Sequence, residues 1–248
     1  MKFNVKLCFC ILILLIGLII YSLQSFKIKE AYSNNIHFIH IPKNAGTTIK
    51  KMYPQFRHMG GHHYDALPKK NSVNIAIIRN PYDRFLSIFH HIKERQYRTD
   101  GTKSNDLVNF ETIEDFILAY YNKTHPHHKK VRELLTFKND DFDHIKNAHA
   151  NNDKKYAQGG CLNDFKCMHW APQSLFIRNP SEVQYLLKFE NLKNDLLVLQ
   201  NLGILEQKSL EHSRKGTYNK KITSNVKKIV DEIYKDDFKL WNKCGLTK

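Results

Sequence analysis

HIPKNAGTT, residues 40–48, puts a lysine, a glycine and two hydroxyls within six positions. Lys43 offers a cation, Thr47 and Thr48 offer donors, and Gly46 opens a helical stretch. A helix N-terminus with free N–H groups adds partial positive charge, so the set suits an anion with several oxygens. It is not the loop of an NTPase. That loop reads G-x-x-x-x-G-K-[ST], with the lysine after the last glycine and the Ser or Thr on Mg²⁺. Here Lys43 precedes Gly46, and no GK[ST] occurs in the stretch. A second set lies downstream in IIRNPYDRFLSIFHH, where Arg79 and Ser87 stand eight residues apart. With Arg79 at a strand end and Ser87 two turns into a helix, the gap is roughly 9 Å. A guanidinium and a hydroxyl at that separation can hold one phosphate from two sides.

Between the two sets lies GGHHYDAL, with His62 and His63 adjacent. A histidine titrates near neutrality and suits a general base. Glu94 and Asp83 are the other bases within reach of the motifs, both also readable as solvated helix charges. His125, His127 and His128 cluster, yet no His or Cys set has zinc spacing, and Cys161 to Cys167 is too wide for a CxxC knuckle. No metal is expected.

These residues need elements to hold them. Ile36, Phe38, Ile39 and Ile41 form a β-prone run that ends at Pro42, and NAGTTIKKMY follows as turn and helix. Strand, tight turn and helix are the parts of a phosphate site on an α/β sheet. A second strand is expected over 72–79. Asn80 then caps a helix that has Pro81 in its first turn. Phe85, Phe89 and Ile92 form its apolar stripe, with Asp83, Ser87, His90 and Glu94 opposite. FETIEDFILAYYNK reads as an amphipathic helix, 183–189 as a third strand, and 194–202 as a helix ended by Gly203. SNVKKIVDEIYKDDFKLW reads as one last helix with Val226, Ile229, Ile233 and Phe238 turned inward. Strands alternating with helices predict a parallel α/β sheet. The segment 123–168 is polar and weakly periodic.

The chain has 248 residues, enough for one domain with a core, and shows no solenoid repeat. Its 39 Lys and Arg against 24 Asp and Glu give +15, a field that attracts polyanions and phosphorylated cofactors. Residues 7–23, LCFCILILLIGLIIYSL, carry no charge. Seventeen residues give roughly 25 Å of helix, a short but adequate span of hydrocarbon. A cleaved signal peptide is the rival reading; the apolar run is long for one, and no small-x-small cleavage site follows. The expected order is a short tail at 1–6, a signal-anchor at 7–23, a polar stem at 24–35 and one domain over 36–248. Lys2 and Lys6 before the span and Lys27, Lys29 and Glu30 after it leave the orientation open. Cys8 and Cys10 sit in the span as apolar filler. Cys161, Cys167 and Cys244 allow three single pairings, of which the short Cys161–Cys167 loop is the expected bridge. Asn122-Lys123-Thr124 is an N-glycosylation sequon.

PKNAGTT resembles the 5′-phosphosulfate loop of the membrane-anchored, Golgi-type carbohydrate sulfotransferases, and RNPYDRFLS is similar to their 3′-phosphate segment. The resemblance spans about residues 36–241 and leaves 95–168 unmatched. It implies a P-loop-like central parallel sheet flanked by helices, and 3′-phosphoadenylyl sulfate (PAPS) as sulfuryl donor. It implies that Pro42, Lys43, Asn44, Ala45, Gly46, Thr47 and Thr48 cradle the 5′-phosphosulfate, with Lys43 on the leaving oxygen. Arg79 and Ser87 would take the 3′-phosphate, and His62 would be the base. Arg214, Lys215 and Tyr218, in a basic loop before the last helix, would close over donor or acceptor. The acceptor would be a glycan, anionic or neutral, and the chain a single-pass type II protein of the Golgi membrane if the host is eukaryotic. A degenerate P-loop kinase and a non-catalytic, membrane-tethered glycan binder on the same fold stay open as alternatives. A nucleic-acid module is disfavoured by the expected anchor and the lack of any nucleic-acid motif. The oligomeric state is not legible.

Overall fold

A computed structural model describes residues 16–17, 36–57, 68, 70–95, 110–137, 169–177, 179–210 and 221–246. Three strands form one parallel sheet in the order β1-β2-β3: β1 (Ile36–Ile39), β2 (Val73–Ile78) and β3 (Tyr185–Lys188). Ile36 pairs with Val73 and Ile39 with Ala76 on one side of β2, and Ile75 with Tyr185 through Ile78 with Lys188 on the other. β2 is buried along its whole length, as a central parallel strand covered on both faces must be. Its run Val-Asn-Ile-Ala-Ile-Ile is nearly continuous in apolar residues for the same reason.

The alternation of side chains along β2 divides the core. Ile75 and Ile77 face a cluster with Phe38, Ile49, Tyr53, Leu187, Leu196 and Leu199. This cluster seats α1 (Gly46–Met52) and α6 (Leu192–Asn201) on one face. Ala76 and Ile78 face Ile39, Ile41, Phe176, Ile177 and Leu240. This second layer holds the one-turn helix α5 (Gln173–Phe176) and α8 (Lys235–Lys243).

A third cluster joins α2 (Pro81–Arg95), α3 (Ile113–Tyr121), α4 (His128–Leu135) and α7 (Ser224–Ile233). Phe85, Phe89 and Ile92 lie in it as the periodicity predicts, with Phe116, Trp170, Val226, Ile229 and Tyr234. Asn80 starts α2: its side-chain oxygen accepts the Tyr82 N–H at 2.9 Å, with Pro81 in the first turn. Thr112 and Asp115 form a reciprocal capping box at the start of α3. Gly203, at φ 70°, ends α6 in the left-handed conformation expected of a C′ glycine.

Two expectations are corrected. Ser87 is buried rather than exposed on a polar face, because it lies in the stretch 84–89 of α2, which is buried at every position. The last helix is two helices that meet at Tyr234, whose hydroxyl donates to the Trp170 carbonyl at 2.8 Å. Among the described residues no helix is long and apolar enough to cross a membrane. The expected anchor lies outside them apart from 16–17, which are helical.

Candidate functional site

Parallel strands deliver their C-terminal ends to one edge of the sheet, and ligands of such sheets bind there. β1 and β2 are neighbours, so the stretch after β1 and the stretch after β2 come side by side. That adjacency unites the two sets of sequence candidates.

The chain leaves β1 through His40, Ile41 and Pro42 and turns in two left-handed steps, Lys43 at φ 69° and Ala45 at φ 61°. Asn44 between them is 1 % exposed, and its amide Nδ2 donates to the Ile77 carbonyl at 2.6 Å and to Gln173 Oε1 at 2.6 Å. The loop is therefore nailed to β2 from inside while its backbone turns outward around the nail. α1 begins at Gly46 with Ala45 as N-cap and no side-chain cap. The threonines are thus not caps. They stand in the first turn, Thr47 exposed and Thr48 buried, where N–H groups have no intrahelical acceptor.

Gly46 is required by packing, not by φ. A Cβ placed on it would lie 2.0 Å from His40 Nε2 and 2.3 Å from Cδ2. The His40 ring thus fills the space directly beneath the start of α1, stacked on Phe38 at 6.3 Å. Burial, then the charge of Lys50, lowers its pKa to about 3, so this histidine is neutral at physiological pH.

Arg79 follows the last residue of β2. Its guanidinium Nη1 donates to the Lys43 carbonyl at 3.0 Å, and its Cζ lies 4.4 Å from the Phe189 ring centroid, just beyond β3. The Arg79 side chain therefore meets the Lys43 backbone although they are 36 positions apart. Ser87 lies two turns into α2.

Three residues that sequence reasoning did not single out hold this arrangement. Arg84, 1 % exposed, donates Nε to the Pro42 carbonyl at 3.1 Å and Nη2 to the His169 carbonyl at 2.9 Å. Asp237 on α8 is fully buried and accepts the Gln173 N–H at 2.8 Å and the Ser174 N–H at 2.9 Å. Burial raises the Asp237 carboxyl above the usual carboxylate range, against Arg84 and the two N–H groups. Burial likewise lowers the Arg84 guanidinium, with Asp237 opposing. Gln173 accepts the Arg79 N–H at 3.0 Å and returns its own Nε2 to the Arg79 carbonyl at 2.9 Å. Of the three, Arg84 stands inside the RNPYDRFLS segment, where the resemblance gave roles only to Arg79 and Ser87.

Asn122 is exposed, and its Oδ1 accepts the Thr124 N–H at 3.0 Å and hydroxyl at 2.8 Å in an Asx turn. Cys244 is a buried free thiol, pushed up to about 12 chiefly by burial. His62, Arg214, Lys215, Tyr218, Cys161 and Cys167 lie outside the described residues. Among the described residues no group of three His, Cys, Asp or Glu could hold a metal ion.

A strand–loop–helix turn beside an arginine at the end of the next parallel strand defines a P-loop-like α/β class without the metal-holding GK[ST]. Within that class the chain matches the sulfotransferase family over residues 24–243 and belongs to it. Its members transfer sulfuryl groups and generally use PAPS as donor. No curated protein and no solved structure matches the chain.

Proposed function

We propose that this chain transfers the sulfuryl group of PAPS to a hydroxyl of a carbohydrate and releases adenosine 3′,5′-bisphosphate (PAP). One observation carries the reading: the Arg79 guanidinium reaches the Lys43 carbonyl at 3.0 Å, which supports taking the two motifs together. A donor with phosphate at both ends of one nucleoside fits two adjacent cationic segments. The segment Pro42–Thr48 receives the 5′-phosphosulfate, and Arg79 with Ser87 receives the 3′-phosphate.

In the reaction the acceptor hydroxyl oxygen bonds to sulfur. The bond from sulfur to the 5′-phosphate oxygen breaks, and its electron pair stays on that oxygen. Lys43 stabilises the charge that develops there. The acceptor proton goes to a base, for which His62 is the candidate. Arg214, Lys215 and Tyr218 close over the bound donor or acceptor. No step calls for a metal.

A glycan acceptor is supported by the +15 charge, which draws a polyanion such as a glycosaminoglycan. Anchoring by 7–23, with the domain in the Golgi lumen of a eukaryotic host, suits this substrate, the Cys161–Cys167 bridge and glycosylation at Asn122. The test is transfer of radiolabelled sulfate from PAPS to a panel of desulfated polysaccharides, with PAP binding measured by calorimetry. Wild type is expected to bind PAP and to label at least one polymer. Lys43→Ala is expected to lose about 10²–10³ in kcat, the scale of one transition-state donor. Absence of PAP binding by wild type overturns the reading; PAP binding without transfer to any acceptor favours the non-catalytic glycan binder.

A further inference from the structure

The two donor-binding segments are joined by a side chain from a third, distant segment. The ladder from β2 to β1 stops at Ala76 and the ladder to β3 at Ile78. Arg79 therefore has backbone groups with no strand to pair with, at the point where a buried polar group left unpaired is costly. The Gln173 side-chain amide fills that place. It takes the Arg79 N–H at 3.0 Å and gives Nε2 to the Arg79 carbonyl at 2.9 Å, as one more rung of sheet would. The same Oε1 takes Asn44 Nδ2 at 2.6 Å, and Asn44 also holds the Ile77 carbonyl at 2.6 Å. One fully buried amide thus fixes the loop after β1 and the residue after β2 to a common point. Gln173 is itself held, because Asp237 receives its backbone N–H at 2.8 Å.

We propose that Gln173 is a positioning residue for sulfuryl transfer: it sets the spacing between the 5′-phosphosulfate loop and Arg79, and so the length of donor the site accepts. Gln173 touches neither donor nor acceptor; it acts through Asn44 and Arg79. The inference rests on the donor reading above. Preorganisation of this kind matters because misplacement by about 1 Å can cost on the order of a hundredfold.

The test measures PAP affinity by calorimetry and thermal stability in parallel, on the full chain, for wild type, Gln173→Leu and Gln173→Glu. Q173L keeps the volume and removes all three side-chain bonds. It is expected to bind PAP about tenfold or more weakly than wild type even at temperatures where it is fully folded. Q173E separates positioning from mere stability. A protonated carboxyl accepts through one oxygen and donates through the other, as the amide does, whereas the carboxylate cannot donate to the Arg79 carbonyl. The ratio of Q173E to wild-type affinity is therefore expected to fall as pH rises through the titration of the introduced carboxyl. If Q173L does not fold, Q173E decides alone. Wild-type affinity in folded Q173L, or a Q173E ratio that is flat in pH, overturns the proposal while leaving the donor reading intact. A wild type that does not bind PAP overturns both.

Discussion

Replacing Gly46 by alanine tests how the loop is built, because two physical accounts give opposite signs. Gly46 is the first residue of α1 and its φ is not left-handed, so by backbone alone alanine should be the better residue. Glycine to alanine in a helix is worth about 0.5–1 kcal/mol in favour of alanine. The packing beneath says otherwise. The new Cβ would stand 2.0 Å from His40 Nε2, 2.3 Å from Cδ2 and 3.0 Å from Cε1, where ordinary contact begins at 3.4 Å. Relief takes a movement of 1.4 Å, the difference between 3.4 and 2.0 Å, by the ring or by the start of the helix. The ring cannot retreat freely, since it stacks on Phe38 at 6.3 Å and Phe38 stacks on Phe56 at 5.9 Å. Overpacking of this kind costs about 1–3 kcal/mol, or about 2–12 °C in Tm for a chain of this size. A helix start displaced by that much should also weaken PAP binding. The assay is thermal melting with PAP calorimetry on Gly46→Ala, His40→Ala and the double variant. In the double variant the ring that the methyl meets is gone, so it should be more stable than the sum of the two single effects. A Gly46→Ala protein that melts at or above wild type, or a double variant whose losses simply add, refutes the steric account.

Two further outcomes follow from the same structure. His40 has a folded pKa of about 3 against 6.5 for the free side chain. A histidine depressed in this way contributes stability that is fully present above pH 6.5 and is lost as pH falls toward 3, by up to about 1.4 kcal/mol per pH unit. Denaturant titrations from about pH 7 to about pH 4 should show that slope, and His40→Asn should flatten it; equal slopes would mean that His40 is charged in the fold. Asn122 presents its sequon in an exposed turn, so expression through a secretory pathway should give a product whose mobility shifts on endoglycosidase treatment, and Asn122→Gln should abolish the shift.

Local signals in this sequence read well where the local chain decides the outcome. β2 is a nearly continuous apolar run broken only by Asn74, α2 starts at an Asn-Pro pair, and Gly203 stops α6; each was legible because its cause lies within a few residues. The end of the chain was not legible for the converse reason. The apolar period runs on from Val226 to Phe238, and nothing in IYKDDF marks a stop. The break at Tyr234 is imposed by two different partners. Val226, Ile229 and Val230 pack into the cluster of α2 and α3, while Leu240 and Cys244 pack in the layer against the sheet. Asp237 shows the same limit. In a Lys-Asp-Asp run it reads as a solvated charge, yet it is fully buried because it receives two N–H groups from residues 63 and 64 positions earlier.

The order of lysine and glycine in the loop follows from how the loop is held. In a loop that needs glycine for its dihedrals, the glycines sit where φ is positive. Here the positive φ angles fall on Lys43 and Ala45, each costing about 1–2 kcal/mol in a residue with a Cβ. That strain persists only where surrounding bonds fix it. The bonds are on view: Arg84 on the Pro42 carbonyl, Asn44 on β2 and on Gln173, Arg79 on the Lys43 carbonyl. The glycine is thereby released from its conformational duty and serves to clear His40. Lys43 needs no glycine before it, because its left-handed turn is imposed from β2 and α2 and not by its own loop. Gln173, which takes the Asn44 amide, also holds the Arg79 backbone in place, so the shape of the loop and the distance to the second segment are a single structural variable.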